Sequence, residues 1–87
     1  MQKITMFTMA ACPYCRAAHK WMDELMAQYP EYNDLPINVI DEIQHPEVAR
    51  QYDYYYVPTY FVGDQKLHEG VATKEKIHAV LERALKE

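Results

Sequence analysis

The sequence predicts an α/β fold with the element order βαβαββα, in which a four-stranded mixed sheet carries helices on both faces. Short runs of β-branched and aromatic residues alternate with stretches whose apolar residues recur every three or four positions. Two strand–helix pairs precede a hairpin and a closing helix, the order expected of a small mixed sheet. The chain has 87 residues, of which 49% are hydrophobic and 25% charged, so we expect one domain over residues 1–87.

The first strand–helix pair is predicted between Lys3 and Tyr29. Lys3–Met9 is rich in apolar and β-branched residues and stops before two alanines and a Cys-Pro pair, as a buried strand that opens into a helix does. Pro13–Tyr29 contains no glycine and no further proline, and its apolar residues share one helical face. Pro13 suits the first turn of that helix, where its missing N–H is harmless.

The second strand–helix pair is shorter and follows a loop. Pro30–Pro36 is polar and bounded by prolines, which predicts a loop. Ile37–Asp41 is predicted to be a strand. Pro46–Tyr52 has room for about two helical turns.

The last third of the chain predicts a hairpin and a helix. Tyr55–Val62 is aromatic and β-branched, Gly63-Asp64 favours a turn, and Gln65–Glu69 is the returning strand. Thr73 is a suitable cap for a helix over Lys74–Lys86, because the apolar residues of that segment form a single stripe.

Charge and hydropathy exclude several classes of function. Nine Lys and Arg against thirteen Asp and Glu give a net charge of −4, which disfavours nucleic acid and anionic lipid as partners. The apolar run Ile4–Ala11 is too short for an export signal, and no stretch approaches the roughly 18 apolar residues of a membrane span. We therefore expect a cytoplasmic protein.

Both cysteines of the chain lie in Cys12-Pro13-Tyr14-Cys15, where the first strand meets the first helix. Free N–H groups and the positive end of the helix dipole favour thiolate over thiol at that position, so Cys12 is predicted to be a nucleophile. Cys15 lies one turn further along and is predicted to be the resolving thiol, which attacks a mixed disulfide formed at Cys12.

Two structural alternatives for this pair are weaker. A disulfide across so short a loop removes only about 2 kcal/mol of unfolded-state entropy, less than a staple between distant segments. A zinc site needs further ligands, and the sequence offers no second cysteine pair and no closely spaced histidines. The pattern therefore indicates redox chemistry with no metal.

A second motif, Val57-Pro58-Thr59, precedes the predicted hairpin. The CPYC motif at a strand–helix junction, this later VPT and the closing amphipathic helix together resemble the glutaredoxin branch of the thioredoxin superfamily. The resemblance covers almost the whole chain. It implies a single glutaredoxin-like domain of thioredoxin-like fold, which acts as a dithiol disulfide oxidoreductase on protein disulfides or glutathione mixed disulfides.

The resemblance also implies the parts of a substrate site. Val57-Pro58 would be a cis peptide bond beside Cys12, with the Val57 backbone pairing a bound substrate as an added strand. Pro13 and Tyr14 would line the same site. Glutathione would then be a reducing co-substrate, with no cofactor bound. We expect the protein to be a monomer.

The sequence departs from the family where glutathione binds. Met9 stands where a lysine or arginine is common, and Gly70-Val71-Ala72-Thr73 replaces a Gly-Gly and Asp pattern, which leaves Gly70 and Thr73 as the matching contacts. Met6 stands where thioredoxin has a buried aspartate, so no general base is evident behind Cys15. Either glutathione or a thioredoxin reductase therefore remains open as the reductant.

Five tyrosines crowd around Pro58, at positions 52, 54, 55, 56 and 60. In a strand, alternation would bury Tyr54 and Tyr56 on one side and place Tyr55 on the other. These rings either wall a docking groove or pack under the second helix. An alternative function follows from the first choice: a binding module that holds a partner, or an iron–sulfur cluster between two chains, on its Tyr-rich VPT face.

Charged residues on the first helix have two interpretations. Arg16 is four residues from Cys12 and would add positive potential to its thiolate. Arg16, His19 and Lys20 are otherwise an ordinary solvated face.

Overall fold

A computed structural model describes residues 1–87 and contains one sheet of four strands. These are β1 (Ile4–Thr8), β2 (Ile37–Asp41), β3 (Thr59–Val62) and β4 (Gln65–Glu69), arranged in the order β2-β1-β3-β4. β1 runs parallel to β2 and antiparallel to β3, and β3 and β4 form an antiparallel hairpin. The mixed four-stranded sheet predicted from the sequence is confirmed.

Three α-helices flank the sheet. They are α1 (Pro13–Gln28), α2 (Pro46–Ala49) and α3 (Lys74–Lys86), and a 3₁₀ helix, Pro30–Asp34, follows α1. Thr73 caps α3, since its hydroxyl accepts the N–H of Lys76 at 3.2 Å. None of the helices combines the length and the apolar character that crossing a bilayer requires.

The main core lies between one sheet face and the helices α1 and α3. Strand β1 contributes Ile4 and Met6 to it, both without solvent exposure. The apolar stripe predicted for the last helix supplies its other half, with Ile77, Val80, Leu81 and Ala84 all buried. Because all five residues of β1 are buried, this strand is covered on both faces of the sheet.

A smaller core on the opposite face is aromatic. Phe7 is fully buried there with Phe61 and Ile40. Its ring stacks on Tyr54, with centroids 4.6 Å apart and planes at 20°, and meets the Tyr52 ring edge-on at 4.8 Å. Val48 and Ala49 of α2 complete this cluster, so helices cover both faces of the sheet, as predicted.

Several elements differ from the prediction in their type or their bounds, α1 only by ending at Gln28 instead of Tyr29. The segment Pro30–Pro36 is not a simple loop, because i to i+3 bonds from Tyr32 and Leu35 wind it into a 3₁₀ turn. Helix α2 ends at Ala49 rather than Tyr52, since the next bonds are also of the i to i+3 type and turn Tyr52 towards Phe7. The outer residues of the predicted first strand, at positions 3 and 9, lie outside β1.

The largest difference concerns the strand predicted over Tyr55–Val62, because β3 begins only at Thr59. Pro58 has no N–H to place in a ladder. The N–H groups of Tyr55 and Tyr56 donate instead to the Glu69 carboxylate, at 2.5 and 2.9 Å. A side chain therefore takes the place of a neighbouring strand in this segment.

Candidate active site

The two sequence motifs lie at one end of the sheet. The β1–β3 pairing ends at Phe7 opposite Thr59, so the residue before Thr59, Pro58, lies at the edge where β1 leads towards Cys12. The N–H of Gly70 donates to the Pro58 carbonyl at 2.9 Å, which brings the end of β4 to the same edge. Segments distant in sequence thus meet at the end of β1, which leads into the cysteine motif.

Cys12 is the N-cap residue of α1. Its backbone is extended, with φ −112° and ψ 113°, and its Sγ accepts the N–H of Cys15 at 3.3 Å. Burial of the thiol opposes its ionisation. Hydrogen bonds from the Cys15 side chain and from the N–H groups of Cys15 and Tyr14 outweigh that effect, and the pKa of Cys12 lies below its ordinary value.

Arg16 adds to the ionisation of Cys12. Its charge lowers the pKa of the Cys12 thiol, and its Nη1 donates to the Ala10 carbonyl at 3.4 Å, which holds the side chain over the start of the helix. This contact favours the electrostatic interpretation of Arg16 over that of a solvated face.

Cys15 is the more buried of the two free thiols, with an exposure of 0% against 7% for Cys12. Burial raises the pKa of the Cys15 thiol, and hydrogen bonds from the Thr8 hydroxyl and the Met9 backbone oppose that rise without reversing it. The two sulfurs are thus neighbours with opposite tendencies to ionise, an arrangement suited to sequential thiol chemistry.

The peptide bond between Val57 and Pro58 is cis, as the resemblance implied. Pro58 is fully buried, and Val57 packs against the aromatic cluster around Phe7. Neither the N–H nor the carbonyl of Val57 takes part in a hydrogen bond within the chain. A donor and an acceptor are therefore available at the edge of the sheet from which β1 leads to the cysteine motif.

Pro13 and Tyr14 occupy the first turn of α1, on the solvent side of the cysteine pair. Both are exposed, Tyr14 by 56% of its surface. Tyr14 also contributes its N–H to Cys12, so the two residues form the rim of the site as well as part of its electrostatics.

The predicted carboxylate contacts after β4 are engaged within the chain. The Thr73 hydroxyl accepts the Lys76 N–H, and the Lys74 ammonium pairs with Glu24 at 3.0 Å. Gly70 has φ +90°, a conformation that favours glycine, and its carbonyl contacts Nε2 of His68 at 2.9 Å. Of the groups expected to bind an anion, only the Thr73 N–H and the N-terminus of α3 remain free.

The tyrosines divide between the two interpretations. Tyr52 and Tyr54 pack beside α2 on Phe7, and the Tyr54 hydroxyl donates to Glu42 at 2.7 Å. Tyr55 and Tyr56 are 84% and 70% exposed. The predicted burial of Tyr56 alongside Tyr54 is wrong, because the segment is not a strand and its side chains do not alternate.

Two polar residues at the site were not singled out from the sequence. The Thr8 hydroxyl is 3.2 Å from Nε2 of His19, and hydrogen bonding to it opposes the rise in the pKa of Cys15. His19 is therefore not simply part of a solvated face. One signal was available: His19 follows Cys15 by four residues and so shares its side of the helix. Thr8 carried no signal, since it reads as one more β-branched strand residue.

No three His, Cys, Asp or Glu side chains come together in a group that could hold a metal ion. The cysteines have no third ligand beside them, so the chain by itself does not provide a closed zinc or iron site.

The chain is similar to thioredoxins along nearly its full length. A thioredoxin-like domain model matches residues 1–85. The thioredoxin of Methanocaldococcus jannaschii is 28% identical over 83 residues, which are 95% of each chain.

Solved structures give the same result. Oxidised thioredoxin O1 of Arabidopsis thaliana is 27% identical with a TM-score of 0.69, over 95% of this chain and 77% of that one. A thioredoxin-like protein of Clostridium perfringens is 25% identical with a TM-score of 0.71, over 100% and 74%. With its fold, its helix-capping cysteine and its cis proline in place, this chain belongs to the thioredoxin-like domain family.

Proposed function

We propose that the protein is a thiol–disulfide oxidoreductase that reduces protein disulfides or glutathione mixed disulfides through Cys12 and Cys15. The observation that carries the proposal is the position of the Cys12 sulfur. It accepts an N–H at the first turn of α1, its pKa is lowered, and a second, more buried thiol with a raised pKa lies one turn away.

The reaction proceeds in two exchanges. The Cys12 thiolate attacks one sulfur of the substrate disulfide, a mixed disulfide forms, and the other substrate sulfur leaves as a thiolate. Cys15 then loses its proton and attacks the Cys12 sulfur. The mixed disulfide breaks, the Cys12–Cys15 disulfide forms, and the second substrate thiolate leaves and is protonated. An external dithiol or two thiols reverse the oxidation.

Substrate docking uses the edge around the cis proline. The free N–H and carbonyl of Val57 pair with an extended substrate segment, as in the addition of a strand to a sheet edge. Pro13 and Tyr14 border the cysteine pair, and Tyr56 is exposed in the segment that leads to Val57, so these side chains offer the docked segment apolar contacts. Pro58 positions Val57 at this edge.

The reductant separates a glutaredoxin-like protein from a thioredoxin-like one. The CPYC motif favours a single glutaredoxin-like domain, in which the Thr73 N–H binds glutathione and Gly70, whose own N–H and carbonyl are engaged within the chain, shapes the adjoining turn. The internal engagement of the Thr73 hydroxyl and Lys74, and Met9 in place of a cation, favour a thioredoxin reductase instead. We propose that the protein acts in the cytoplasm as a monomer with no bound cofactor. Its partners are disulfide-containing molecules and a reductant, and it binds neither nucleic acid nor a membrane.

A trapping experiment tests the two-exchange scheme. The Cys15→Ser variant is expected to accumulate a mixed disulfide with an oxidised protein substrate, detected by mass spectrometry and dissolved by dithiothreitol. Cys12→Ser is the matched control and is expected to form none. Absence of a trapped species with every disulfide offered would contradict the scheme and favour a binding module that uses the exposed tyrosines.

A second experiment identifies the reductant. The oxidised protein is mixed with glutathione or, separately, with a thioredoxin reductase and NADPH, and the loss of its disulfide is followed in time. Rapid reduction by glutathione supports the glutaredoxin-like subtype. Reduction by the reductase alone supports a thioredoxin-like donor.

A further inference from the structure

The second exchange poses a chemical problem that the site described so far leaves unsolved. Cys15 must lose a proton, yet its thiol is fully buried and its pKa is raised. The position of a buried aspartate in thioredoxin holds Met6, which is fully buried in the main core. A proton acceptor has to be found elsewhere.

The other titratable groups near Cys15 are unsuited to that task. The Tyr60 hydroxyl already donates to Met22 Sδ at 3.1 Å, and the pKa of Tyr60 is raised by burial and by Cys15, so it stays protonated. Asp41 lies opposite Thr8 on β2, but its Oδ1 accepts the N–H groups of Ile43 and Gln44. Glu42 accepts the Tyr54 hydroxyl.

The polar path that remains leads through Thr8 to His19. Thr8 ends β1 and is 7% exposed, and hydrogen bonding to its hydroxyl is the main effect that opposes the rise in the pKa of Cys15. His19 is half-buried, so it connects this hydroxyl to the surface of α1, and its Nε2 is 3.2 Å from the Thr8 oxygen. The charged neighbours of His19 along α1 are Arg16, Lys20 and Asp23.

The Thr8 hydroxyl can both accept and donate a hydrogen bond, so it can link Cys15 to His19 before and after a proton is transferred. Before transfer, the Cys15 thiol donates to the Thr8 oxygen and the Thr8 hydroxyl donates to an unprotonated Nε2 of His19. After transfer, Nε2 of His19 donates to the Thr8 oxygen and the Thr8 hydroxyl donates to the Cys15 thiolate. Donor and acceptor roles are exchanged along the three groups, as a proton relay requires.

Resting on the proposed function, we infer that Thr8 and His19 form a proton relay that activates Cys15 for the second exchange. The Cys15 proton passes to the Thr8 oxygen as the Thr8 proton passes to Nε2 of His19. The Cys15 thiolate then attacks the Cys12 sulfur, and the substrate sulfur leaves with the electron pair. His19 returns its proton to that thiolate or to water. His19 is a positioning residue that acts through Thr8.

The two exchanges can be timed separately with 5,5′-dithiobis(2-nitrobenzoate). The first thionitrobenzoate is released when the mixed disulfide forms at Cys12, and the second when Cys15 resolves it, so stopped-flow absorbance records both steps. The variants are Thr8→Val, which removes the hydroxyl at nearly constant shape, and His19→Gln, which keeps a polar side chain that accepts no proton. His78→Gln is the matched control, because His78 is also half-buried but stacks on Tyr29.

The relay predicts a selective loss. First release keeps its rate in all variants, whereas second release slows about a hundredfold in Thr8→Val and His19→Gln, the lower end of general acid–base effects. Thr8→Ser keeps the hydroxyl, so its second release is as fast as in the unaltered protein. The same is expected of the control His78→Gln. The double variant is no slower than Thr8→Val, because the two residues act in series.

Three results would overturn the inference. If His19→Gln releases the second thionitrobenzoate at an unchanged rate, His19 is not part of the relay. Slowing of the double variant by the product of the single effects shows independent roles. If a variant slows both releases equally, or if Thr8→Ser slows the second release as much as Thr8→Val does, the effect is structural and not due to proton transfer. Failure of the unaltered protein to give any second release rejects the proposed function itself, which distinguishes the two failures.

Discussion

The aromatic cluster around Phe7 makes a quantitative prediction about how the cis-proline edge is held. Phe7 is fully buried and touches Tyr54 at 4.6 Å, Tyr52 at 4.8 Å and Phe61 at 6.0 Å between ring centroids. The substitution Phe7→Leu keeps an apolar side chain there but removes its ring. Tyr52 and Tyr54, which anchor the segment that leads to Pro58, lose their closest ring contacts.

The expected loss of stability follows from these contacts. Each close aromatic pair contributes about 1 kcal/mol beyond its buried area, so the two nearest tyrosines account for about 2 kcal/mol. The smaller volume of leucine adds about 1 kcal/mol. We expect Phe7→Leu to lower the free energy of unfolding by about 3 kcal/mol, which is a fall in Tm of about 12–24 °C for a domain of this size.

Urea unfolding measures this loss, with Met6→Leu as the matched control. Met6 neighbours Phe7 on the same strand, is equally buried and faces the other core, and its replacement conserves volume, so it costs less than about 1.5 kcal/mol. Hydrogen exchange at the Tyr52 amide, which donates to the Ala49 carbonyl, is expected to accelerate in Phe7→Leu alone. Equal losses in the two variants would refute the role assigned to the rings.

Three further predictions concern charge and packing. Arg16→Gln is expected to raise the pKa of Cys12, so the pH profile of its alkylation by iodoacetamide should shift to higher pH. An unchanged pH profile would contradict the effect of the Arg16 charge on Cys12. Hydrogen bonds from Lys66 and the N–H groups of Tyr55 and Tyr56 lower the pKa of Glu69 to about 2, so the stability it contributes is present above the unfolded value of about 4.3 and is lost as the pH falls towards 2. The difference in stability between the unaltered protein and Glu69→Gln should therefore close over that interval, and a constant difference would be inconsistent with it. Leu81→Ala, in the main core, is expected to cost about 3–5 kcal/mol by urea unfolding, and a loss under about 1.5 kcal/mol would show that the core collapses around the gap.

Local rules made much of the fold predictable from the sequence. The stripe of α3, its Thr73 cap and the proline in the first turn of α1 depend on residues within a few positions of each other, and each appears as predicted. The cysteine pair was predictable for the same reason, because four adjacent residues at the start of a helix define its chemistry.

The prediction was wrong where a contact with a residue distant in sequence decided the local structure. The strand predicted from Tyr55 fails because Glu69, fourteen residues away, takes the N–H groups that a ladder would need. The exposed side chain of Tyr56 beside the packed one of Tyr54 follows from that failure.

The sequence by itself determined the order of elements, the apolar stripes of the two long helices and the presence of a dithiol at a helix N-terminus. These depend on periodicity and on capping, which act over a few residues. Only the tertiary structure brought Thr8 to His19, Glu69 to the tyrosine segment and Pro58 to the cysteine edge. Such contacts join residues far apart in the chain, and the packing of strands and helices decides which of them meet.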